Sequence, residues 1–591
     1  MVKIMMNINV DKTYKDKFLI VLLSVFSAIG FGMMFSFSTA NVILIMLSIL
    51  FYFIFQKAFS LKIDKRVVKA SVICAVFFAF SLMPSNMETF DSSKTFGFSK
   101  LVICFTAFVF IILALLMIIY DKAVSLDVFG EKTATDKKKT LKVFILITLC
   151  FMIAWIPYFL YVFPSDLSPD SFNQFMQAFG DYPLSDHHPV VHTLLIQKIV
   201  TFGLILSNND VIFALALYSF CQALFLAMSF SYLVTTLYVY NIKKPLIILS
   251  VLFFAIPSYH GFYSVEMWKD IWFAGFITFF SVTLWRMILK LKKDSFRIKS
   301  FETIMFVLSS IGVCLFRSNG IYAYAFFLMF FIIYVIKHKK QKLIVVGLVA
   351  VVVTVIVKGP VYNMMGVVKP DILESIAIPM QQVSAVVVEN KKLTAEEEQL
   401  IESIIDLSVV REKYNENLCD PVKFVIRENG GNDYISEHKG EFFRLWSGLG
   451  LRYPVTYIRA YINQTYGFYD PDVQYVVYYP ISGKFENPFK VKIMPESYYT
   501  FMDSYSQIYK SIPILGFLWS IGTMVWLTAF CMGLVYIKRN KAMLLVFLPN
   551  VGVWLTLLIA TPSYAEFRYI YSLFTTIPLY LACALCNKDS K

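Results

Sequence analysis

The sequence alternates long apolar blocks with short charged loops, and this alternation constrains the fold more than any other feature. The blocks are about 16–25 residues long, which is the length an α-helix needs to cross the hydrocarbon core of a bilayer. Only 16% of the 591 residues are charged, whereas a soluble domain carries roughly 25%. Too few polar residues remain to cover the surface of a soluble protein of this length. The sequence therefore predicts an all-α polytopic membrane protein.

The lengths of the blocks and the charges at their ends predict about fourteen transmembrane helices. Lys and Arg collect in every second loop, as in 62–66, 137–139, 290–293 and 337–342. This positive-inside pattern predicts that both termini are cytoplasmic, and it places the net charge of +14 beside a lipid surface rather than on nucleic acid. The predicted spans are 18–38, 41–57, 67–84, 101–120, 141–163, 211–240, 245–260, 268–290, 301–317, 320–336, 342–358, 512–537, 542–560 and 567–586.

Two segments interrupt this pattern. Pro189–Leu206 is apolar enough to span, but counting it as a span inverts the side of every later loop, so we predict a helix lying at the outer interface. Residues 359–511 lack long apolar blocks and contain helix signals, so they predict a mainly helical extracytoplasmic domain. The predicted organisation is a four-span segment (1–140), a membrane module (141–358) with an outer loop at 164–210, the outer domain (359–511) and a three-span segment (512–591).

Ionisable side chains in apolar surroundings are costly and therefore mark candidate sites. In this sequence they collect in four separate loops, all predicted to lie on the outer side. The candidate residues are Asp170, Gln174, His187, His188 and His192 in the first loop, Lys269 and Asp270 in the second, Arg317 and Asn319 in the third, and Glu566 and Arg568 in the fourth.

Several of these residues also have a purely structural interpretation. Asp170 follows Pro169 and precedes Ser171, as an exposed aspartate in a turn would. His187 and His188 precede a helix and could simply cap it, and Lys269 with Asp270 could mark a membrane interface. Glu566 and Arg568 could form a structural ion pair. The histidine spacing H-H-x₃-H lacks carboxylates at helical spacing, so we predict no metal and no other cofactor.

The motifs in these loops resemble those of the membrane-embedded GT-C glycosyltransferases and of a group of large bacterial membrane proteins allied to them. The resemblance covers about residues 141–586. Asp170 is followed by Ser171, where many relatives have a second acidic residue. The motifs are S-P-D-S-F-x-Q at Ser168–Gln174, H-H-P at His187–Pro189, W-K-D at Trp268–Asp270, F-R-S-N-G at Phe316–Gly320 and E-F-R-Y at Glu566–Tyr569.

The resemblance implies a GT-C-like module at 141–358 that moves a sugar from a polyprenyl-phosphate donor to a glycan or protein acceptor of the cell envelope. Asp170 would be the general base, with its pKa raised by shielding from Phe172 and Phe175. His187 or His188 would position the acceptor or relay the proton. The remaining candidate residues would bind the substrates, with cations holding the leaving phosphate.

Two other classes of protein remain open from the sequence. A polymerase or ligase of surface polysaccharide also has many spans and outer Arg and His residues. A transporter or flippase of lipid-linked sugars would place ionisable groups near the membrane centre. Lys greatly outnumbers Arg, which suggests an AT-rich bacterial genome and hence the plasma membrane.

Overall fold

The computed structural model describes residues 14–37, 42–86, 97–130, 136–292, 296–473 and 487–587. Within these ranges every regular element is a helix, and β-pairing is limited to isolated bridges. This agrees with the predicted all-α fold.

The chain begins with a group of long helices, followed by shorter ones around the outer loop. Their bounds are α1 Tyr14–Met34, α2 Val42–Ser60, α3 Lys65–Ser81, α4 Gly97–Ser125, α5 Lys137–Tyr161, α6 Pro169–Phe179, α7 Val190–Leu206, α8 Val211–Val239, α9 Lys244–Ala255, α10 Ser258–Val265, α11 Lys269–Lys292, α12 Phe301–Leu315, α13 Gly320–Lys337 and α14 Lys342–Ile356.

Shorter helices follow, and three apolar helices close the chain. These are α15 Ala377–Val388, α16 Ala395–Glu402, α17 Leu407–Lys413, α18 Asp420–Glu428, α19 Gly431–Glu437, α20 Lys439–Arg452, α21 Pro454–Thr465, α22 Glu496–Ser506, α23 Ile521–Ile537, α24 Leu548–Ala560 and α25 Phe567–Leu585, with single helical turns between some of them.

The described part of the chain contains nine helices that are long and apolar enough to cross a bilayer. A tenth candidate is the pair α9 and α10, which is bent by 54° at the break between its two halves. Five further apolar helices are only 10–17 residues long. The chain is therefore a helical membrane protein, and the number of fourteen spans stays a prediction.

Helices α11 and α25 lie at the centre of the largest hydrophobic core, because most of their residues are buried. Polar side chains join them to their neighbours. Thr278 of α11 donates a hydrogen bond to Thr575 of α25 at 2.7 Å, and Asn550 of α24 donates to the hydroxyl of Tyr580 at 2.9 Å. Hydrogen bonds of this kind hold helices together where lipid removes the hydrophobic drive for association.

The apolar helix α7 packs against only one end of α8. Near its start His192 contacts the Tyr218 hydroxyl at 2.7 Å, and near its end Gly203 is in close contact with Ala214. Both ends of α7 therefore meet the first two turns of a 29-residue helix. The interfacial position of α7 stays a prediction.

The basic loops predicted to share one side do meet in the structure. Lys538 donates to the backbone carbonyls of Leu126 and Leu585, and Lys292 contacts Asn540. These contacts lie at the C-terminal ends of α11 and α25. The charged residues at the N-terminal ends of the same two helices form the candidate site described below.

The short helices α15–α21 enclose a hydrophobic core of their own, built around residues such as Val386, Ile426 and Leu449. The segment that leads into them touches the outer loop. The Val368 N–H donates to the Leu184 carbonyl at 2.8 Å, and Lys358 forms an ion pair with Asp186 at 2.9 Å. The helical cluster is thus fastened beside the loop at 164–210.

Single-cysteine labelling tests which loops lie outside. In a background where the exposed Cys150 is replaced by serine, cysteines at Ser85 and Asn208 are expected to react with a membrane-impermeant maleimide in intact cells, because these loops carry few cations. A cysteine at Lys243 is expected to react only after permeabilisation. Labelling of Lys243→Cys but not Asn208→Cys in intact cells would show that α7 crosses the membrane.

Candidate active site

Four segments that are distant in sequence converge on the carboxylate of Asp170. The residue lies in the first turn of α6, which Pro169 begins. Its Oδ2 accepts a hydrogen bond from Arg568 Nη1 at 2.8 Å and lies 3.8 Å from Lys269 Nζ. His188 Nε2 lies 4.0 Å from its Oδ1. The structure thus joins the S-P-D-S, H-H-P, W-K-D and E-F-R-Y motifs in one cluster, which we call the ion cluster.

The guanidinium of Arg568 is held by aromatic rings as well as by carboxylates. Its central carbon lies 4.8 Å from the centre of the Trp268 ring and 5.3 Å from that of Tyr569. Glu566 is 3.4 Å from its Nε, so the ion pair considered from the sequence is present. Planar stacking together with bidentate geometry is typical of Arg and cannot be reproduced by Lys.

His188 is a neutral member of the ion cluster. Lys269 Nζ donates to its Nδ1 at 2.9 Å, so the ring hydrogen is on Nε2, the atom that faces Asp170. Burial and the charge of Lys269 lower the pKa of His188 to about 2. At neutral pH this histidine therefore acts as a hydrogen-bonding group between Lys269 and Asp170 and carries no charge.

The expectation of a raised pKa for Asp170 is wrong. Burial alone would raise the pKa of this carboxyl, but the positive charges of Arg568 and Lys269 outweigh burial and hold the pKa well below its usual range. The predicted shielding rings, Phe172 and Phe175, pack into a separate apolar cluster with Phe489. Asp170 is therefore ionised. Its carboxylate can act as a strong base only when Arg568 and Lys269 bind another anion.

A second ion pair lies beside the ion cluster. Arg317 Nη1 is 2.9 Å from Asp270 Oδ1, and both side chains are almost fully buried. The same guanidinium donates to the Tyr569 carbonyl at 2.7 Å and lies 4.8 Å from the Tyr569 ring centre. Tyr569 thus separates the two arginines, and the Asp270–Arg317 pair braces the segment that carries Arg568.

His187 contacts the segment that leads into the helical cluster α15–α21. Its Nδ1 lies 3.6 Å from Glu374 Oε1, and Glu374 in turn pairs with Arg427 at 2.8 Å and Lys423 at 3.3 Å. Burial lowers the pKa of His187, and Glu374 partly offsets this. Glu374 lies in a segment where no sequence motif marks it, so sequence reasoning missed it.

Three other predicted residues have their polar atoms engaged within the protein. His192 Nδ1 bonds to Gln174 Oε1 at 2.9 Å, and the Gln174 amide donates to Thr193 at 3.0 Å. Asn319 donates to Thr556 at 2.8 Å, which joins the α12–α13 turn to α24. These three side chains shape the surroundings of the ion cluster, and their substrate contacts stay a prediction.

Lys269 and Arg568 form a pair of cations that could bind an anion, and the carboxylate of Asp170 now occupies that position. The side chains of Lys269 and Arg568 are 14% and 15% exposed, whereas that of Asp170 is 34% exposed, so Asp170 covers the two cations from the solvent side. A phosphate or carboxylate from outside could take its place. The described ranges hold no group of three His, Cys, Asp or Glu side chains arranged for a metal ion.

The fold and the ion cluster together define a helical membrane protein with a charged site at one end of its central helices. The model of a family described as "Family of unknown function (DUF6020)" matches residues 17–591, and the chain belongs to this family. No curated protein and no solved structure matches the chain.

Proposed function

We propose that this protein transfers a sugar from a polyprenyl-phosphate donor to an acceptor of the bacterial cell envelope, at the outer face of the plasma membrane. The observation that carries the proposal is the convergence of Asp170, Arg568 and Lys269 from three separate loops. A base beside two cations suits a reaction in which a hydroxyl attacks and a phosphate leaves. The donor reaches such a site from within the bilayer, so no nucleotide is required.

The ion pairs suggest how binding of the donor activates the base. The donor phosphodiester would compete with Asp170 for Arg568 and Lys269, because both anions need the same cations. Once these charges are shared with the phosphate, burial dominates and the pKa of Asp170 rises. Asp170 then accepts the proton of the acceptor hydroxyl while that oxygen attacks the anomeric carbon. The bond to the phosphate oxygen breaks, and the leaving phosphate takes up the negative charge.

Lys269 and His188 complete the proposed site. The ammonium of Lys269 lies between His188 and Asp170, where it would neutralise the charge that develops on the leaving phosphate. The Nε2 hydrogen of His188 faces Asp170 and would hold either that carboxylate or the acceptor oxygen in place.

Transfer from a polyprenyl-phosphate hexose in proteoliposomes tests the proposal. We expect Lys269→Ala to lower the rate of transfer by at least about tenfold, because the leaving phosphate loses one of its two cations. Lys492→Ala, which removes an exposed lysine paired with Glu496, is the matched control and should transfer normally. Equal rates for Lys269→Ala and wild type, with both correctly folded, would remove Lys269 from the site.

The bend between α9 and α10 favours a second candidate, a flippase of lipid-linked sugars, because broken helices are typical of transporters. His260 is fully buried just after this bend and bonds to the Tyr571 hydroxyl at 2.7 Å. The same proteoliposomes separate the two functions. Movement of an intact fluorescent polyprenyl-phosphate sugar between leaflets, without any transfer, would support the flippase and contradict the transferase.

A further inference from the structure

Two buried acidic residues stand just before the ion cluster in sequence, four residues before Asp170 and three residues before Lys269. Asp166, in the loop after α5, and Glu266, in the loop before α11, are 9% and 2% exposed. Their backbones form a parallel bridge, in which the Asp166 N–H donates to Val265 and its carbonyl accepts from Met267. Residues opposed in a parallel bridge place their side chains on the same side, so the two buried carboxyl groups lie next to each other.

Two ionised carboxylates can only accept hydrogen bonds, so a bond between these two side chains requires that one of them carries a proton. Outside water, two negative charges at such a separation would also repel strongly. The charged or titratable groups that act on the pair from surrounding elements are Arg568 of α25 and Tyr161 at the end of α5. Burial and the neighbouring Asp166 raise the pKa of Glu266 well above its ordinary value, and Arg568 offsets this only in part.

The pair is connected to the ion cluster through Trp268. The indole N–H of Trp268 donates at 2.6 Å to the Oγ of Ser168, which follows Asp166 by two residues. The face of the same indole packs on the Arg568 guanidinium. The backbone N–H of Trp268 also donates to the backbone carbonyl of Glu266 at 2.7 Å. Any separation of the two loops would therefore move the indole ring that supports Arg568.

We propose that Asp166 and Glu266 share one proton and act as positioning residues that clamp the loops on which Trp268, and through it Arg568, depends. Loss of the proton would leave two adjacent carboxylates that push the loops apart and loosen Arg568. In Glu266→Gln the amide can donate to Asp166 in place of the proton, so the clamp no longer depends on pH. The clamp itself is independent of the reaction. Its effect on Arg568 rests on the anion site of the proposed function.

Infrared spectroscopy and thermal unfolding of the full chain in detergent test the clamp directly. At neutral pH the wild type should show the carbonyl stretch of one protonated carboxyl that is absent from both Glu266→Gln and Asp166→Asn. A carboxyl with a raised pKa in the folded state stabilises the protein at low pH and less as pH rises through that pKa, so the wild-type melting temperature should fall as pH rises above the usual titration range of a glutamate.

Glu266→Gln should have a flatter melting profile than the wild type over the same range. Glu398→Gln, which removes an exposed carboxylate of α16, is the matched control and should follow the wild type. Identical carbonyl bands and identical profiles for wild type and Glu266→Gln would overturn the shared proton.

Binding of farnesyl phosphate tests the link to Arg568. Comparing Glu266→Gln with wild type at each pH cancels the titration of the ligand itself. We expect equal affinities at the acidic end of the pH range of the melting experiment and about tenfold tighter binding by Glu266→Gln at its alkaline end, where the wild type has lost the proton. Parallel profiles would refute the positioning role. If neither protein binds farnesyl phosphate at any pH, the anion site of the proposed function fails, whereas the infrared and melting data still decide whether the proton is shared.

Discussion

Replacing Asp170 by asparagine is expected to lower sugar transfer by about 10²-fold or more, because the amide keeps the size and hydrogen bonding of the side chain but cannot accept a proton. The variant should still bind the lipid phosphate. Asp170 occupies Arg568 Nη1 at 2.8 Å, so neutralising it removes the anion with which the phosphate competes. Asp170→Asn is therefore expected to bind farnesyl phosphate at least as tightly as the wild type.

Loss of turnover with retained or tighter binding distinguishes a base from a structural residue. A structural role would weaken both properties together, since the ion cluster would lose its shape. The assay is transfer in proteoliposomes, with farnesyl phosphate binding measured in detergent on the same preparations. Near-normal transfer by a correctly folded Asp170→Asn protein would eliminate Asp170 as the base.

The control for this experiment is best taken from Asp181. Asp181 is an exposed carboxylate just after α6, so Asp181→Asn should leave both transfer and binding unchanged. Asp166 is also close in sequence, but it is buried beside Glu266 and therefore cannot serve as a neutral control. Only the structure distinguishes these two nearby aspartates.

The class of fold was predictable because apolar block length is a local property. A helix that crosses a bilayer must satisfy its own backbone and must be long enough, so composition along the chain reveals it directly. The same is true of the ends of helices, as with the capping box of Thr394 and Glu397, which is present at the start of α16. The number of spans is harder to predict, because helices such as α12 and α24 are short and packed against protein.

The residues that form the ion cluster were predictable from the sequence, but the ion pairs between them were not. Positive-inside loops indicate which polar residues share a side, and this brings Asp170, Lys269 and Arg568 to one surface. The direct bond from Arg568 to Asp170 joins residues separated by 398 positions. No local pattern encodes that contact, and it reverses the expected direction of the Asp170 pKa.

Sequence reasoning also missed the Asp166–Glu266 clamp for a physical reason. Each residue alone looks like an ordinary acid near a membrane interface. The proton that we propose they share depends on a parallel bridge between two loops that are a hundred residues apart, and on burial that only tertiary packing provides. The nearest local signal is that each acid stands two residues before a member of a site motif, Ser168 or Trp268.

Replacing Arg568 by alanine is expected to abolish most binding of farnesyl phosphate, whereas Asp170→Asn is expected to lower transfer and keep binding. The guanidinium supplies the closest cation to Asp170 and is stacked on Trp268, so it is already oriented for a phosphate. We expect an affinity loss of at least about tenfold for Arg568→Ala. Arg568→Lys should restore only part of it, because an ammonium neither stacks on the indole nor forms two parallel hydrogen bonds. Arg459→Ala, at an exposed arginine paired with Glu389, is the matched control.

Removing Arg568 alone leaves Asp170 with only Lys269 at 3.8 Å and leaves Glu566 without its cation. A fully buried unpaired charge destabilises a fold by roughly 3–5 kcal/mol, and we expect a smaller loss here because Asp170 is partly exposed. The double variant Asp170→Asn/Arg568→Ala therefore decides the interpretation. It should recover thermal stability relative to Arg568→Ala, because the unpaired carboxylate is gone, while binding of farnesyl phosphate stays weak. If the double variant is stable and binds the phosphate as tightly as the wild type, Arg568 is a structural partner of Asp170 and the anion site lies elsewhere.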